Sequence, residues 1–219
     1  MPFFSPIYII CILVAVAVHE WAHAIVARML GDPTAEHAGR LTLNPLAHLD
    51  PIGALLFLVV GFGWANPVPI NPLYFRRPIR DTALTALAGP VSNFILAFGA
   101  FLGLTLLAAT LPSSRIDALI VGTGPVAMRL ILQLLRASLV INLSLMAFNL
   151  LPIAPLDGSK IVAVLLPLRH QEAYMRFMER GPYILIALIL FESLLPIRII
   201  SGWIDFWANL ALTLFSSVL

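Results

Sequence analysis

Residues 7–23 read IYIICILVAVAVHEWAH, an uncharged apolar run from Ile7 to Val18 followed at once by His19-Glu20-Trp21-Ala22-His23. Continued to Leu30, the stretch is long enough for a transmembrane helix, which needs about 20 residues. Residues four apart on a helix share one face about one turn apart, so His19 and His23 have the spacing of two ligands to one metal ion, with Glu20 beside them. In this HExxH pattern the imidazoles hold zinc and the glutamate takes a proton from a bound water. That produces a nucleophile able to attack a peptide carbonyl near neutral pH. Here the pattern falls at membrane depth, where a charged group costs about 2.5–3.5 kcal/mol on insertion scales. Three such side chains so close together imply a shared partner. The competing reading is a helix end whose polar residues merely meet the lipid headgroups.

The rest of the chain agrees with a membrane setting. It has 219 residues, 60% of them hydrophobic and only 11% charged, with a mean hydropathy of +0.97. Soluble domains carry about 25% charged residues. No hydrophilic stretch is long enough to fold as a separate module, so one domain over residues 1–219 is expected, with any substrate filter supplied by another chain. The net charge of +2 comes from basic loops suited to anionic headgroups, and nothing has the basic footprint of a nucleic-acid binder. Cys11 is the only cysteine, which excludes an internal disulfide. No Lys or Arg precedes the first apolar run, so it reads as a retained helix and not as a cleaved secretory signal.

Segments 7–30, 83–111, 137–154, 182–195 and 200–218 are long and apolar enough to be candidate spans. Segment 52–62 is short and runs into Gly61, Gly63, Pro67 and Pro69, which suits a re-entrant element. Segment 116–136 carries Arg129 and Arg136 and reads as an oblique approach to the next helix. The expected fold is an all-α polytopic membrane protein of about five to six transmembrane helices plus a short re-entrant segment. If 52–62 enters and leaves on one side, Arg28, Arg40, Arg76, Arg77, Arg80, Lys160, Arg169, Arg176 and Arg180 share the inner side. Arg115, Arg129, Arg136 and Arg198 then lie outside, which satisfies the positive-inside rule. This places the HExxH residues nearer the cytoplasmic side of a multi-pass protein of the cell membrane.

A catalytic zinc ordinarily has three protein ligands and one open position. Residues 149–160 read NLLPIAPLDGSK, in which Pro152 and Pro155 break the helix just before Asp157. In the re-entrant topology Asp157 returns to the leaflet of the histidines. It is a candidate third ligand; the alternative is an ordinary turn or helix cap.

Together these motifs resemble the site-2 protease family of intramembrane zinc metallopeptidases. HEWAH is similar to the family's HExxH, and NLLPIAPLDG to its N-x-x-P-x-x-P-x-D-G pattern. The segment AGPVSN, residues 88–93, resembles the small-residue opening of the family's next core helix, and it permits close helix approach. The resemblance implies that His19, His23 and Asp157 bind zinc, that Glu20 is general base and acid, and that Asn149 binds substrate or the oxyanion. It implies cleavage within or near transmembrane segments of other membrane proteins, in contact with the lipid bilayer; it leaves the oligomeric state open. Neither a peptide-binding insertion nor a nucleotide-sensing module is evident, so the chain reads as a minimal catalytic core. GRLTLNPLAHLDPIG, residues 39–53, is associated with a subgroup of the family; His48 and Asp50 within it are second-layer candidates, with loop ordering the plainer role for each. The backbone of residues 63–69 offers an edge for an unwound substrate strand. Two rival functions are a surface metallopeptidase using Glu172, Glu179 or Glu192 as third ligand, and a non-catalytic zinc-binding or metal-transporting protein.

Overall fold

A computed structural model describes residues 5–60 and 63–218. Its helices are α1 (Pro6–Met29), α2 (Thr34–His37), α3 (Pro45–His48), α4 (Pro51–Val60), α5 (Pro78–Thr110), α6 (Ser113–Val121), α7 (Val126–Asn149), α8 (Asp157–Leu165), α9 (Leu168–Met178), α10 (Gly181–Leu194) and α11 (Ile200–Val218). Among the described residues the only β pairing is an isolated bridge between Leu49 and Ala65. The protein is an all-α membrane protein. Three helices, α1, α5 and α7, have the length and apolarity to cross a bilayer. The segments expected as the last two spans form helices α10 and α11, of 14 and 19 residues, and neither is among these three. At about 1.5 Å per residue α10 is about 21 Å long, shorter than a hydrocarbon layer of about 30 Å.

α1 begins with Pro6, whose missing N–H would have had no intrahelical partner in the first turn. Its buried face is built from Ala15, Ala17, Ala22, Ala24 and Ala27 together with the two histidines. Small residues let neighbouring backbones come close, which is how helices associate where lipid removes the hydrophobic drive between them. α5 is the central element and packs against α1, α7 and α8, while α7 also packs against α1 and α11. Toward the other end of α5, Phe215 of α11 is fully buried among Phe94, Phe98 and Phe101, with ring centroids 5.0, 5.0 and 5.4 Å away. The Trp203 indole donates to the Ala147 carbonyl at 2.8 Å, fixing α11 on α7.

The third long helix differs from its expected extent of 137–154. It starts at Val126 and stops at Asn149, and the oblique segment 116–136 is divided between α6 and α7. Gly122 ends α6 in the left-handed conformation, φ 89°, and the Arg129 guanidinium donates back to its carbonyl at 2.7 Å. The early charge therefore caps the preceding turn and does not interrupt the helix. Beyond Asn149 the prolines at 152 and 155 prevent regular helix until Asp157.

α1 and α5 run antiparallel: Ala15 meets Asn93, and His23 meets Thr85. The C-terminal end of α1 and the N-terminal end of α5 thus share one end of the bundle. The chain between them makes no net crossing, as the re-entrant reading of 52–62 requires, although Gly61 and Phe62 lie outside the described residues. Asp50 Oδ1 accepts the Gly53 N–H at 2.7 Å at the start of α4. His48 is fully buried, its Nε2–H donating to the Thr42 carbonyl at 2.8 Å. Both side chains hold the 39–53 loop in shape.

Candidate metal centre

His19 and His23 lie one turn apart on the buried face of α1, and Asp157 opens α8 against them; the three residues are 6%, 5% and 6% exposed. His19 Nε2 is 3.0 Å from His23 Nε2, and Asp157 Oδ2 is 3.2 and 3.1 Å from the two nitrogens. The sequence placed these groups 134 residues apart at the nearest, between His23 and Asp157, and the fold brings them to one point.

The far side of each imidazole determines what the near side can do. His19 Nδ1–H donates to Asn93 Oδ1 at 2.6 Å, and His23 Nδ1–H donates to the Thr85 carbonyl at 2.7 Å. The orientation of the Asn93 amide is fixed because its Nδ2 donates to Asn142 Oδ1 at 2.9 Å and to the Ala15 carbonyl at 3.3 Å. Asn142 in turn donates to the Ser138 carbonyl at 2.8 Å. With Nδ1 protonated on both rings, both Nε2 lone pairs point at one another and at a carboxylate oxygen. Such an arrangement is repulsive unless a cation lies between. Donors about 2.0–2.2 Å from one tetrahedral zinc ion stand about 3.3 Å apart, so the observed triangle fits zinc in size as well as in chemistry.

The space around the centre agrees with this. The other Asp157 oxygen lies 3.4 Å from Lys160 Nζ. Gly89 of α5 faces the centre, and a Cβ there would fall 2.5 Å from both Nε2 atoms and from His19 Cε1. Only glycine leaves the two nitrogens their open side. Gly158 serves the third ligand in the same way, since a Cβ would lie 2.3 and 2.4 Å from the Leu150 and Leu151 carbonyl oxygens. The residue after Asp157 must be bare for α8 to start under the end of α7.

Glu20 sits beside the histidines with Oε2 accepting the Val68 N–H at 2.9 Å. Val68 belongs to an extended stretch anchored by the Asn66 N–H to the His48 carbonyl (2.9 Å) and by the Asn71 N–H to Asp32 Oδ2 (2.7 Å). Asn149, the last residue of α7, donates from Nδ2 to the Leu145 carbonyl at 3.1 Å within its own helix. The rival third ligands are engaged elsewhere or exposed: Glu172 pairs with Arg176 at 3.3 Å, and Glu192 accepts the Ile200 and Ser201 N–H groups at 2.6 and 2.8 Å. Glu179 lies on the surface.

Sequence reasoning missed Thr85 and Asn142, and saw Asn93 only as part of a small-residue segment and Val68 only as part of the 63–69 edge. An amide within an apolar helix is itself a signal, because it requires a partner inside the bundle. Thr85 and Val68 act through backbone atoms, which carry no residue signature.

Comparison with known proteins gives the same direction. The family model described as Peptidase family M50 matches residues 7–191. The "Putative zinc metalloprotease YwhC" of Bacillus subtilis is 44% identical over 162 residues, 74% of this chain and 70% of that protein. The "Putative zinc metalloprotease Rip2" of Mycolicibacterium smegmatis is 35% identical over 42% of this chain and 37% of its own length. Its namesake in Mycobacterium tuberculosis is 31% identical over 67% of this chain and 52% of its own length. No solved structure gives a significant match. From its paired motifs, its buried His-His-Asp centre and the match along most of its length, the chain belongs to peptidase family M50, the site-2 protease family.

Proposed function

We propose that the chain, acting as one domain, is an intramembrane endopeptidase that hydrolyses peptide bonds within or near transmembrane segments of other membrane proteins. The observation that carries this reading is the closure of three donor atoms, 3.0–3.2 Å apart, two of them on α1, a helix long and apolar enough to cross a bilayer, and the third at the start of α8, with a carboxylate next to the histidines in sequence. Zinc held by His19, His23 and Asp157 would supply Lewis-acid polarisation of the scissile carbonyl and acidify the attacking water.

Glu20 takes the proton of that water and returns it to the departing amine, a single carboxylate serving as base and then acid. Its Oε2 is held by the Val68 N–H, which leaves Oε1 for the reacting groups. Asn93 and Thr85 fix the imidazole tautomers, so that ligand geometry is set before substrate arrives. Asn149 at the end of α7 offers an amide that can leave the Leu145 carbonyl for a substrate carbonyl or the developing oxyanion. The substrate must supply an unwound stretch, since helical carbonyls are already hydrogen-bonded, and segments with helix-weakening residues are the ones cleaved. The positive-inside count, nine basic residues against four, supports a centre nearer the cytoplasmic face of the cell membrane.

Glu20→Gln is the direct test. The variant retains zinc stoichiometry while cleavage of a panel of single-span proteins falls by about 10²–10⁴-fold, the usual contribution of a positioned acid-base group. A Glu20→Gln protein that cleaves as the wild type does would end the proposal. One that performs its cellular task without any cleavage would point to metal transport.

A further inference from the structure

At the end of the bundle that carries the metal centre, a cavity of about 520 Å³ opens between the end of α1 and the start of α5. Its wall is made by Met29, Leu30, Arg76, Arg77, Arg80 and Asp81. The charge there is unbalanced. Asp81 is buried and engaged, accepting the Arg77 N–H at 3.0 Å and lying 3.8 Å from Arg80 Nε. The guanidinium groups of Arg76 and Arg77 have no acidic partner among the described residues and are exposed. Three fixed cations and one carboxylate leave an excess of two positive charges around a hollow.

The surroundings are apolar and face outward: Met29 is 78% exposed, Leu73 90%, Tyr74 54% and Ile79 47%. Basic side chains beside exposed aliphatic and aromatic ones mark the level at which a helix leaves hydrocarbon for headgroups. Depth agrees, since Met29 lies six residues beyond His23, about 9 Å along the helix axis. A guanidinium pair matches the two free oxygens of a phosphodiester, and the neighbouring apolar surface matches the acyl chains attached to it.

We propose that this cavity is a headgroup site for an anionic phospholipid, which would bridge the cytoplasm-facing ends of α1 and α5. A freely dissolved phosphate would use the arginines but gain nothing from Met29 and Leu30 of the wall. The lipid is the occupant that uses both its charged and its apolar side. Because α1 carries both histidines and α5 carries Gly89, Thr85 and Asn93, such a lipid clamps the two helices that form the metal centre.

The test is native mass spectrometry of the full chain in a non-ionic detergent with equal amounts of phosphatidylglycerol and phosphatidylcholine. The wild type retains phosphatidylglycerol in preference. Arg76→Gln/Arg77→Gln weakens that binding about 25-fold, two arginines at about 1 kcal/mol each, while zinc content is unchanged. Arg76→Lys/Arg77→Lys keeps most of the preference, and Arg169→Gln, at a remote exposed position, keeps all of it. If the double variant does not fold, Arg76→Gln and Arg77→Gln separately each weaken binding about fivefold. Equal retention of the two lipids by the wild type, or a preference that survives loss of both arginines, overturns the proposal. So does displacement of the bound lipid by millimolar inorganic phosphate, which would assign the site to the free anion.

Discussion

Gly89→Ala adds one methyl group to α5 and tests whether the centre is as tightly built as its geometry indicates. The new Cβ would stand 2.5 Å from His19 Nε2, His19 Cε1 and His23 Nε2, whereas ordinary contact begins at 3.4 Å, so about 0.9 Å must be found. The imidazoles have little freedom to yield it, being tied at Nδ1 to Asn93 and Thr85 by bonds of 2.6 and 2.7 Å. Zinc tolerates ligand displacements of only about 0.2 Å. We expect zinc affinity to fall by about 100-fold or more, the scale on which a 1 Å misplacement acts at a reacting centre. Zinc retained against a graded chelator is the assay, with helix content by circular dichroism beside it. Intrinsic propensity acts the other way, since alanine favours helix over glycine by about 1 kcal/mol, so a loss does not come from weaker helix propensity in α5. Gly99→Ala is the internal control, on the same helix with nothing within 4 Å of the added atom, and it leaves zinc binding unchanged. If Gly89→Ala holds zinc as the wild type does, the buried triangle is not the metal site.

The remaining predictions concern the groups around that triangle. Asn93→Ala removes the acceptor of His19 Nδ1–H and leaves the Asn142 carbonyl without its donor; zinc affinity drops about 10–100-fold by competition with a chromophoric chelator, and Asn93→Asp restores part of it. Val68→Pro deletes the N–H held by Glu20 without changing any metal ligand. Zinc content stays at the wild-type level while kcat changes; a kcat equal to that of the wild type would show that the contact has no bearing on Glu20. Asn149→Ala loses about 10²–10³ in kcat with zinc and helix content intact, the range for one oxyanion donor, and normal turnover by this variant would restrict Asn149 to its bond with Leu145.

What the sequence reveals and what it hides follows from distance along the chain. His19, Glu20 and His23 are legible because their relation is local and the 3.6-residue period of a helix determines it. Asp157 is legible at one remove: Pro152 and Pro155 announce the end of a helix, and the count of crossings returns the carboxylate to the right leaflet. The amide relay from Asn142 through Asn93 to His19 is not, because it joins α7, α5 and α1 over separations of 49 and 74 residues. No periodicity encodes which of several polar residues will meet. Helix limits failed for a similar reason at 116–136, where Arg129 looks like an obstacle to a membrane helix until its bond to the Gly122 carbonyl is seen.

The 33 residues of α5 run about 50 Å, well over the hydrocarbon layer of about 30 Å, so this helix must lean or stand proud of the bilayer. It is also the beam on which Thr85, Gly89 and Asn93 are mounted against the ligands of α1. A change in the lean of its first half reaches the imidazoles through Thr85 and Gly89, and Pro90, inside the helix, is the point at which it can bend. A host bilayer of different thickness is therefore expected to shift the geometry of the metal centre without a single contact to its ligands.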